Sequence, residues 1–373
     1  MNTAEHNWYK INNLESVDSP ALVIYPDRVK ANIDNLLKMV DDKERLRPHV
    51  KTHKIAEVTL LLIEAGINKF KCATIAEAEM LAICGAKDVL LAYQPVGPKI
   101  NRFAALIRKY PRSRFSCLTD NPEAAERLDN YFVSAQLTVP VYIDLDLGQH
   151  RTGIPPGDKA IQLYRDCLHR KGIVAVGFHA YDGHIRDTDF ETRKKKCDEA
   201  FARVEQMRQE ISAGAIPEPV IVAGGSPTFS IHSRRKGIEC SPGTFIFWDK
   251  SYLDLCPEQD FIPAALVIAR VISLPDKSKI CLDLGHKSIA PENEISRRVY
   301  FLNATGLKPV SQSEEHLVLD AGEGRPFSIG DTLYGLPAHI CPTVSLYERA
   351  LLVRNGLAEG EWKIMARDRK LTI

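Results

Sequence analysis

Cationic side chains crowd into one short run, Arg47-Pro48-His49-Val50-Lys51-Thr52-His53-Lys54. Amines and imidazoles at that density can attack carbonyls and move protons. On an extended strand, side chains alternate between faces, which groups Arg47, His49, Lys51 and His53 and leaves Lys54 on the opposite side. A lysine at the end of a buried strand among other cations is expected to lose its proton below the ordinary lysine range, and so to become a usable nucleophile. Such an amine can hold pyridoxal 5'-phosphate (PLP) as a Schiff base. Taken by itself the run fits a solvated basic edge strand equally well.

Two other runs could serve an anionic ring-shaped ligand. Arg151 follows Asp144-Leu145-Asp146-Leu147-Gly148-Gln149-His150, where a guanidinium can donate to a phenolate oxygen, with Asp146 expected to hold it in place. The alternative for this pair is a surface ion pair of a loop. In Gly177-Phe178-His179-Ala180-Tyr181, alternation puts His179 and Tyr181 on one face, so both can point at a bound ring. Each has a competing role as a satisfied core residue.

Glycine and hydroxyl residues mark two possible phosphate loops, Ala223-Gly224-Gly225-Ser226-Pro227-Thr228 and Ser241-Pro242-Gly243-Thr244. Glycine lets backbone N–H groups approach an anion closely, and hydroxyls add donors. Either loop alone is ordinary turn chemistry. Far along the chain, His339 and Cys341 stand at i and i+2 in Pro337-Ala338-His339-Ile340-Cys341. On an extended segment they would point the same way, as two ligands of a divalent ion do. Two ligands make a site only where water or substrate completes the shell, and a buried thiol beside a structural histidine competes with that role. The remaining cysteines are assigned to the core or to chance.

These residues need elements to position them. Strand-like segments at Leu46–Lys51, Phe70–Ala73, Val89–Tyr93, Arg114–Leu118, Val139–Asp146, Val174–Tyr181, Val220–Ala223 and Ile238–Phe247 alternate with helical ones. Eight strands in this rhythm predict a parallel (β/α)8 barrel of the TIM type, with residues 21–255 as its domain. One glycine loop then ends the seventh strand and the other lies in the eighth-strand region, near where such barrels commonly hold phosphate. A doubly wound sheet is the alternative, but no glycine-rich dinucleotide turn follows the first strand. From about residue 256 to 373 the strand–helix rhythm gives way to turns and strands, which predicts a C-terminal β domain. Residues 1–20 are polar and are expected to pack on it.

Composition excludes several classes. A chain of 373 residues with 45% apolar and 26% charged residues is long enough for a large core plus a second domain. A net charge of +1 gives no electrostatic footprint for nucleic acid, and no run approaches the roughly 20 apolar residues of a membrane helix. Nine scattered cysteines, never spaced Cys-x-x-Cys, and an N-terminus without an apolar signal core point to reduced thiols in the cytoplasm.

Together the motifs resemble the D-threonine aldolase and D-serine dehydratase family, PLP enzymes that share the alanine racemase barrel (fold type III) and a C-terminal β domain. The resemblance runs from Ser19-Pro20-Ala21-Leu22 nearly to the end, and RPHVKTHK is its most specific part. It implies Lys51 as the PLP lysine, with His49, Arg151, His179 and Tyr181 around the cofactor, and Arg151 as donor to the PLP oxygen. It implies Gly225, Ser226, Thr228, Gly243 and Thr244 as the phosphate loops, and His339 and Cys341 as ligands of a divalent zinc, manganese or magnesium ion. The expected activity is metal-assisted cleavage of D-3-hydroxy amino acids to glycine and an aldehyde. The alternative is dehydration of D-serine or 3-hydroxyaspartate to a 2-oxo acid and ammonia. A racemase or a non-catalytic PLP carrier ranks below both. The resemblance also implies a homodimer acting on a small D-amino acid.

Overall fold

The structure is a computed structural model that describes residues 7–214, 217–324 and 326–373. Residues 1–6 of the expected N-terminal segment lie outside that description. Contacts divide the chain into two units, one of Leu36–Gly243, Leu255–Gln259 and Met365–Ile373, the other of Met1–Asn35, Thr244–Asp254 and Asp260–Ile364. Residues 21–35, grouped above with the barrel, are in the second of these. They include the first strand, β1 (Ala21–Ile24).

The larger unit is built on seven parallel strands: β2 (Lys69–Cys72), β3 (Asp88–Leu91), β4 (Arg114–Thr119), β5 (Val139–Asp146), β6 (Ile173–Tyr181), β7 (Val220–Ala223) and β8 (Ile238–Cys240). They pair in chain order, as the strand–helix rhythm predicts. Buried Val89, Leu90, Val141, Ile143, Phe178 and Ile221 fill the sheet, each worth roughly 1.5–3 kcal/mol of transfer free energy. The intervening helices start at legible caps. Thr74 accepts from Glu77 N at 3.1 Å, Asn121 from Glu123 N at 2.9 Å, and Asp189 from Thr192 N at 2.8 Å. A cap of this kind contributes about 1 kcal/mol.

Two of the expected strands differ. Leu46–Lys51 pairs only through isolated parallel bridges, Leu46 to Cys240 and His49 to Lys71. It thereby lies between β8 and β2 and joins the two edges of the sheet, with Arg47 N on Cys240 O and Lys71 N on Pro48 O, both at 2.9 Å. Pro48 has no N–H to continue a ladder, and from Val50 to Thr52 the chain coils into a 3-10 turn. The segment expected at Ile238–Phe247 stops as a strand at Cys240, because Thr244–Ile246 is again a 3-10 turn.

The smaller unit carries β9 (Ala265–Ser273), β10 (Lys279–Leu282), β11 (Val299–Phe301), β12 (Lys308–Gln312), β13 (Leu317–Asp320), β14 (Thr332–Pro337), β15 (Arg349–Arg354) and β16 (Leu357–Lys363). With β1 they form a nine-stranded, mostly antiparallel sheet in the order β12-β13-β10-β9-β1-β15-β16, with β14 joining β9 to β11. β1 lies antiparallel to β9 and parallel to β15. Val23, Leu266, Ile268, Tyr334 and Val353 make its core with Tyr9, Ile11 and Val17 of the N-terminal segment. All nine cysteines are free. No helix among the described residues is long and apolar enough to cross a membrane.

Candidate active site

Alternation along the barrel strands selects which polar side chains face inward. Asp144 of β5 lies in register with His179 of β6, and Asp146 with Tyr181. The first pair meets directly, His179 Nδ1 standing 2.7 Å from Asp144 Oδ1. Deeper in the same unit, Arg47 is neutralised by Glu239 (2.7 Å) and Asp88 (2.5 Å), and Lys69 by Glu239 (2.8 Å). Arg47 is therefore spent on an internal ion network and does not share the outlook of His49 and Lys51.

A cavity of about 550 Å³ gathers His49, Lys51, Arg151, His179 and Tyr181, together with Lys71 and Asp144. Lys51 reaches it from the 3-10 turn, which is capped by the preceding His49, Lys51 N donating to His49 Nδ1 at 3.3 Å. Strand alternation is thus not what orients Lys51. Lys54 turns away with a positive φ of 57° and pairs with buried Glu77. Three cations surround the Tyr181 ring, at 5.1 Å for Arg151 Cζ, 5.5 Å for Lys71 Nζ and 5.9 Å for Lys51 Nζ from its centroid. His179 lies parallel to that ring, 6.4 Å away. Gathered cations of this kind favour an anionic ligand.

Burial and the neighbouring Lys51 and Lys71 charges keep His49 neutral, far below its ordinary range. Burial, and then the charge of Lys51, lowers Lys71 to about 7. Burial and Lys71 also hold His179 down. Burial by itself would raise Asp144, but the hydrogen bond from His179 prevails and holds the carboxyl below its ordinary range.

The loop after β7 packs against the same ring. A Cβ on Gly225 would come within 2.8 Å of Tyr181 Cε2, and one on Gly243 within 3.0 Å of His49 O. Behind the loop, Thr228 donates its hydroxyl proton to Asp182 at 2.5 Å and accepts from Gly225 N at 3.4 Å. That hydroxyl proton is therefore committed within the protein. Ser226 Oγ accepts from Gly243 N at 3.4 Å. Asp182 also meets His232 Nε2 at 2.7 Å and accepts from Cys197 Sγ at 3.4 Å. Among the described residues, Asp182, Cys197 and His232 are the one set of three donor atoms within 4.8 Å of one another, all buried. Their 2.7 Å and 3.4 Å spacings are those of a hydrogen-bond network supporting the loop. Cys197, assigned above to the core or to chance, is one of its members.

Asp146 does not hold Arg151. Its carboxylate accepts from Gly148 N and His150 N and faces His150 Nδ1, each at 3.0 Å. In the smaller unit, His339 and Cys341 do not lie on an extended segment, because a helix begins at Ile340 and runs to Val344. They nevertheless hydrogen-bond to each other, and the Cys341 contact, prevailing over burial, raises His339 to about 9. Glu292 Oε1 stands 2.5 Å from His339 Nδ1, and Thr244 Oγ1 lies 3.6 Å from Cys341 Sγ.

Lys71 was missed in the sequence. The available signal was Lys69-Phe70-Lys71-Cys72, a barrel strand carrying lysines on its inward face where parallel strands are ordinarily apolar.

The sequence pattern of the alanine racemase N-terminal domain matches residues 24–251, and that of a serine dehydratase domain matches residues 264–353. A D-threonine aldolase of Arthrobacter sp. is 26% identical over 366 residues, covering 95% of this chain and 94% of the relative. A D-threo-3-hydroxyaspartate dehydratase of Delftia sp. is 26% identical over 356 residues, covering 88% of this chain and 92% of the relative. The crystal structure of a D-threonine aldolase from Filomicrobium marinum superposes with a TM-score of 0.86 at 25% identity, over 94% of this chain and 95% of that one.

Proposed function

The chain belongs to the alanine racemase N-terminal domain family, and from that premise we propose a PLP-dependent lyase that cleaves D-3-hydroxy amino acids, such as D-threonine, to glycine and an aldehyde. The observation that carries this is the cavity that brings the Lys51 amine beside Tyr181 and Arg151. Similarity to a D-threonine aldolase over 95% of the chain supports the reaction class.

The residues present fit the cofactor. Lys51 supplies an amine, and Arg151 supplies a cation beside the same tyrosine. Gly225 and Gly243 keep two backbone stretches clear of side chains where a Cβ would collide. Lys51 would hold the cofactor covalently, Arg151 would donate to its ring oxygen, His179 and Tyr181 would flank the ring, and the Gly225–Ser226 and Gly243–Thr244 loops would bind the phosphate. Bound PLP supplies an electron sink for the bond broken at the substrate's Cα. The side chains would orient the amino acid and hold its protons, Lys51 offering the amine and Asp144 and His179 forming a pair that fixes one imidazole tautomer. His339 and Cys341, with Glu292 in reach, offer nitrogen, sulfur and oxygen donors for a zinc, manganese or magnesium ion. Such an ion supplies a Lewis acid for the substrate hydroxyl.

Dehydration of D-serine or 3-hydroxyaspartate is the second reading, favoured by the serine dehydratase match across residues 264–353. Incubation of the purified protein with D-threonine and with D-serine, with and without a chelator, separates the two. Glycine and an aldehyde support the aldolase, a 2-oxo acid supports the dehydratase, and neither product removes both. We further infer a homodimer in a compartment that keeps thiols reduced, in keeping with nine free cysteines; a monomer with full activity in sedimentation experiments would remove the dimer.

A further inference from the structure

The cavity holds a second amine whose surroundings differ from those of the neighbouring cations Arg47 and Lys69. Arg47 and Lys69 are each matched by carboxylates at ion-pair distance. Lys71, two residues beyond Lys69 on β2 and only 2% exposed, has no carboxylate at that distance among the described residues. The partner of its Nζ is His179 Nε2, 3.3 Å away. That contact crosses the interior, because β3, β4 and β5 lie between β2 and β6 in the sheet. Asp144 takes the other ring nitrogen at 2.7 Å, so the Nε2 lone pair faces the amine. A carboxylate that orients an imidazole, which in turn faces a reactive group, is the arrangement of a Ser-His-Asp triad, here with an amine in place of the hydroxyl.

We propose that Lys71 is a second acid–base residue of this cavity, sharing one proton with His179 while Asp144 holds the imidazole in a single tautomer. The neutral amine takes a proton from a bound amino acid. In the proposed cleavage that proton is the one on the 3-hydroxyl: N–H forms as O–H breaks, the O–H electron pair becomes the second carbon–oxygen bond of the aldehyde, and the Cα–Cβ pair departs with Cα. The resulting ammonium passes the proton to His179 Nε2. The placement of the proton donor rests on the proposed lyase activity, but the sharing of the proton between Lys71 and His179 does not.

Several groups act on the Lys71 charge. Lys51 and Arg47 oppose it, Asp144 and Asp182 favour it, and burial opposes it most. His49 faces Lys71 through a backbone bridge, and the Tyr181 ring lies 5.5 Å away. The balance gives an amine that titrates near neutrality, where one group can both take and return a proton.

The test uses protein without added cofactor and reads Lys71 directly. Trace acetylation with acetic anhydride across a pH series, quantified by mass spectrometry on the Lys71 peptide, gives the titration midpoint of that amine. The expected midpoint is close to the value of about 7 that burial imposes. Asp144→Asn should move it down by about one pH unit, a tenfold change in proton affinity, because the carboxylate that favours the charge is gone. A wild-type midpoint in the ordinary lysine range, or one that Asp144→Asn leaves in place, overturns the proposal. In the loaded enzyme, Lys71→Met should remove the neutral-pH limb of the kcat profile while Lys71→Arg keeps a proton donor, and an unchanged profile in Lys71→Met also overturns it. Absence of turnover on any D-3-hydroxy amino acid would remove the lyase activity and leave the midpoint measurement standing on its own.

Discussion

Gly225 lies against the ring of Tyr181, so closely that a single methyl group would come within 2.8 Å of Cε2. The loop after β7 and the aromatic wall of the cavity are therefore set by one contact. Gly225→Ala must displace the ring or the loop, and overpacking of this kind costs roughly 1–3 kcal/mol. The expected result is PLP binding weaker by about ten- to hundredfold, measured by titrating protein stripped of cofactor. Unaltered affinity would show that the ring swings aside freely.

Lys51 is expected to be the cofactor lysine. Borohydride treatment of the PLP-loaded protein should fix the cofactor on the peptide containing Lys51, and Lys51→Ala should abolish the adduct. Lys54→Ala should keep it, because Lys54 is paired with buried Glu77. An adduct lost in Lys54→Ala and kept in Lys51→Ala would reverse the assignment.

The proposed metal acts on turnover rather than on cofactor binding. Cys341→Ala and chelation should each cut turnover of D-3-hydroxy amino acids by about a hundredfold or more, the scale of losing a Lewis acid worth several kcal/mol. The PLP absorbance should stay largely intact. Full turnover after chelation, in protein free of metal by elemental analysis, would return His339 and Cys341 to a structural role.

A buried histidine sets an acid limit to stability. Burial lowers His53 from 6.5 to about 3. Its Nδ1 accepts from Ile55 N at 3.1 Å, and its Nε2 has no partner among the described residues. Below about pH 6.5 the unfolded chain binds a proton there that the folded chain refuses until about pH 3. Stability should therefore fall as the pH drops through that window, by up to about 1.4 kcal/mol per pH unit from this residue, and be unaffected by it above the window. Urea midpoints at pH 7 and pH 5 should converge in His53→Gln relative to wild type. An equal loss in both proteins would assign the acid limit to other groups.

Much of the architecture was determined by sequence pattern, for a local reason. Alternating apolar runs and capped helices repeat from β2 to β8, and each element carries its own propensity, so the parallel strands could be placed from their own residues. The same local logic separated the β domain, where turns replace helices. Chemistry-bearing runs were legible because their residue types are unusual, as in the cationic segment around Lys51 and the glycines at 224 and 225.

The tertiary structure decided which of those residues meet. Strand alternation says which face a side chain takes, but not what lies opposite. Lys71 and His179 are 108 residues apart and touch because the sheet curls until β2 faces β6. Asp182, Cys197 and His232 converge from β6's end, a long helix and a short helix, with no spacing that announces them. Lys51 owes its orientation to a 3-10 turn after Pro48, a coil that long-range bridges at Leu46 and His49 anchor and that no local periodicity encodes. Closure of the sheet, and with it the pairing of an imidazole with a buried amine, is a property of the whole fold, because only packing brings strands distant in sequence within reach of a hydrogen bond.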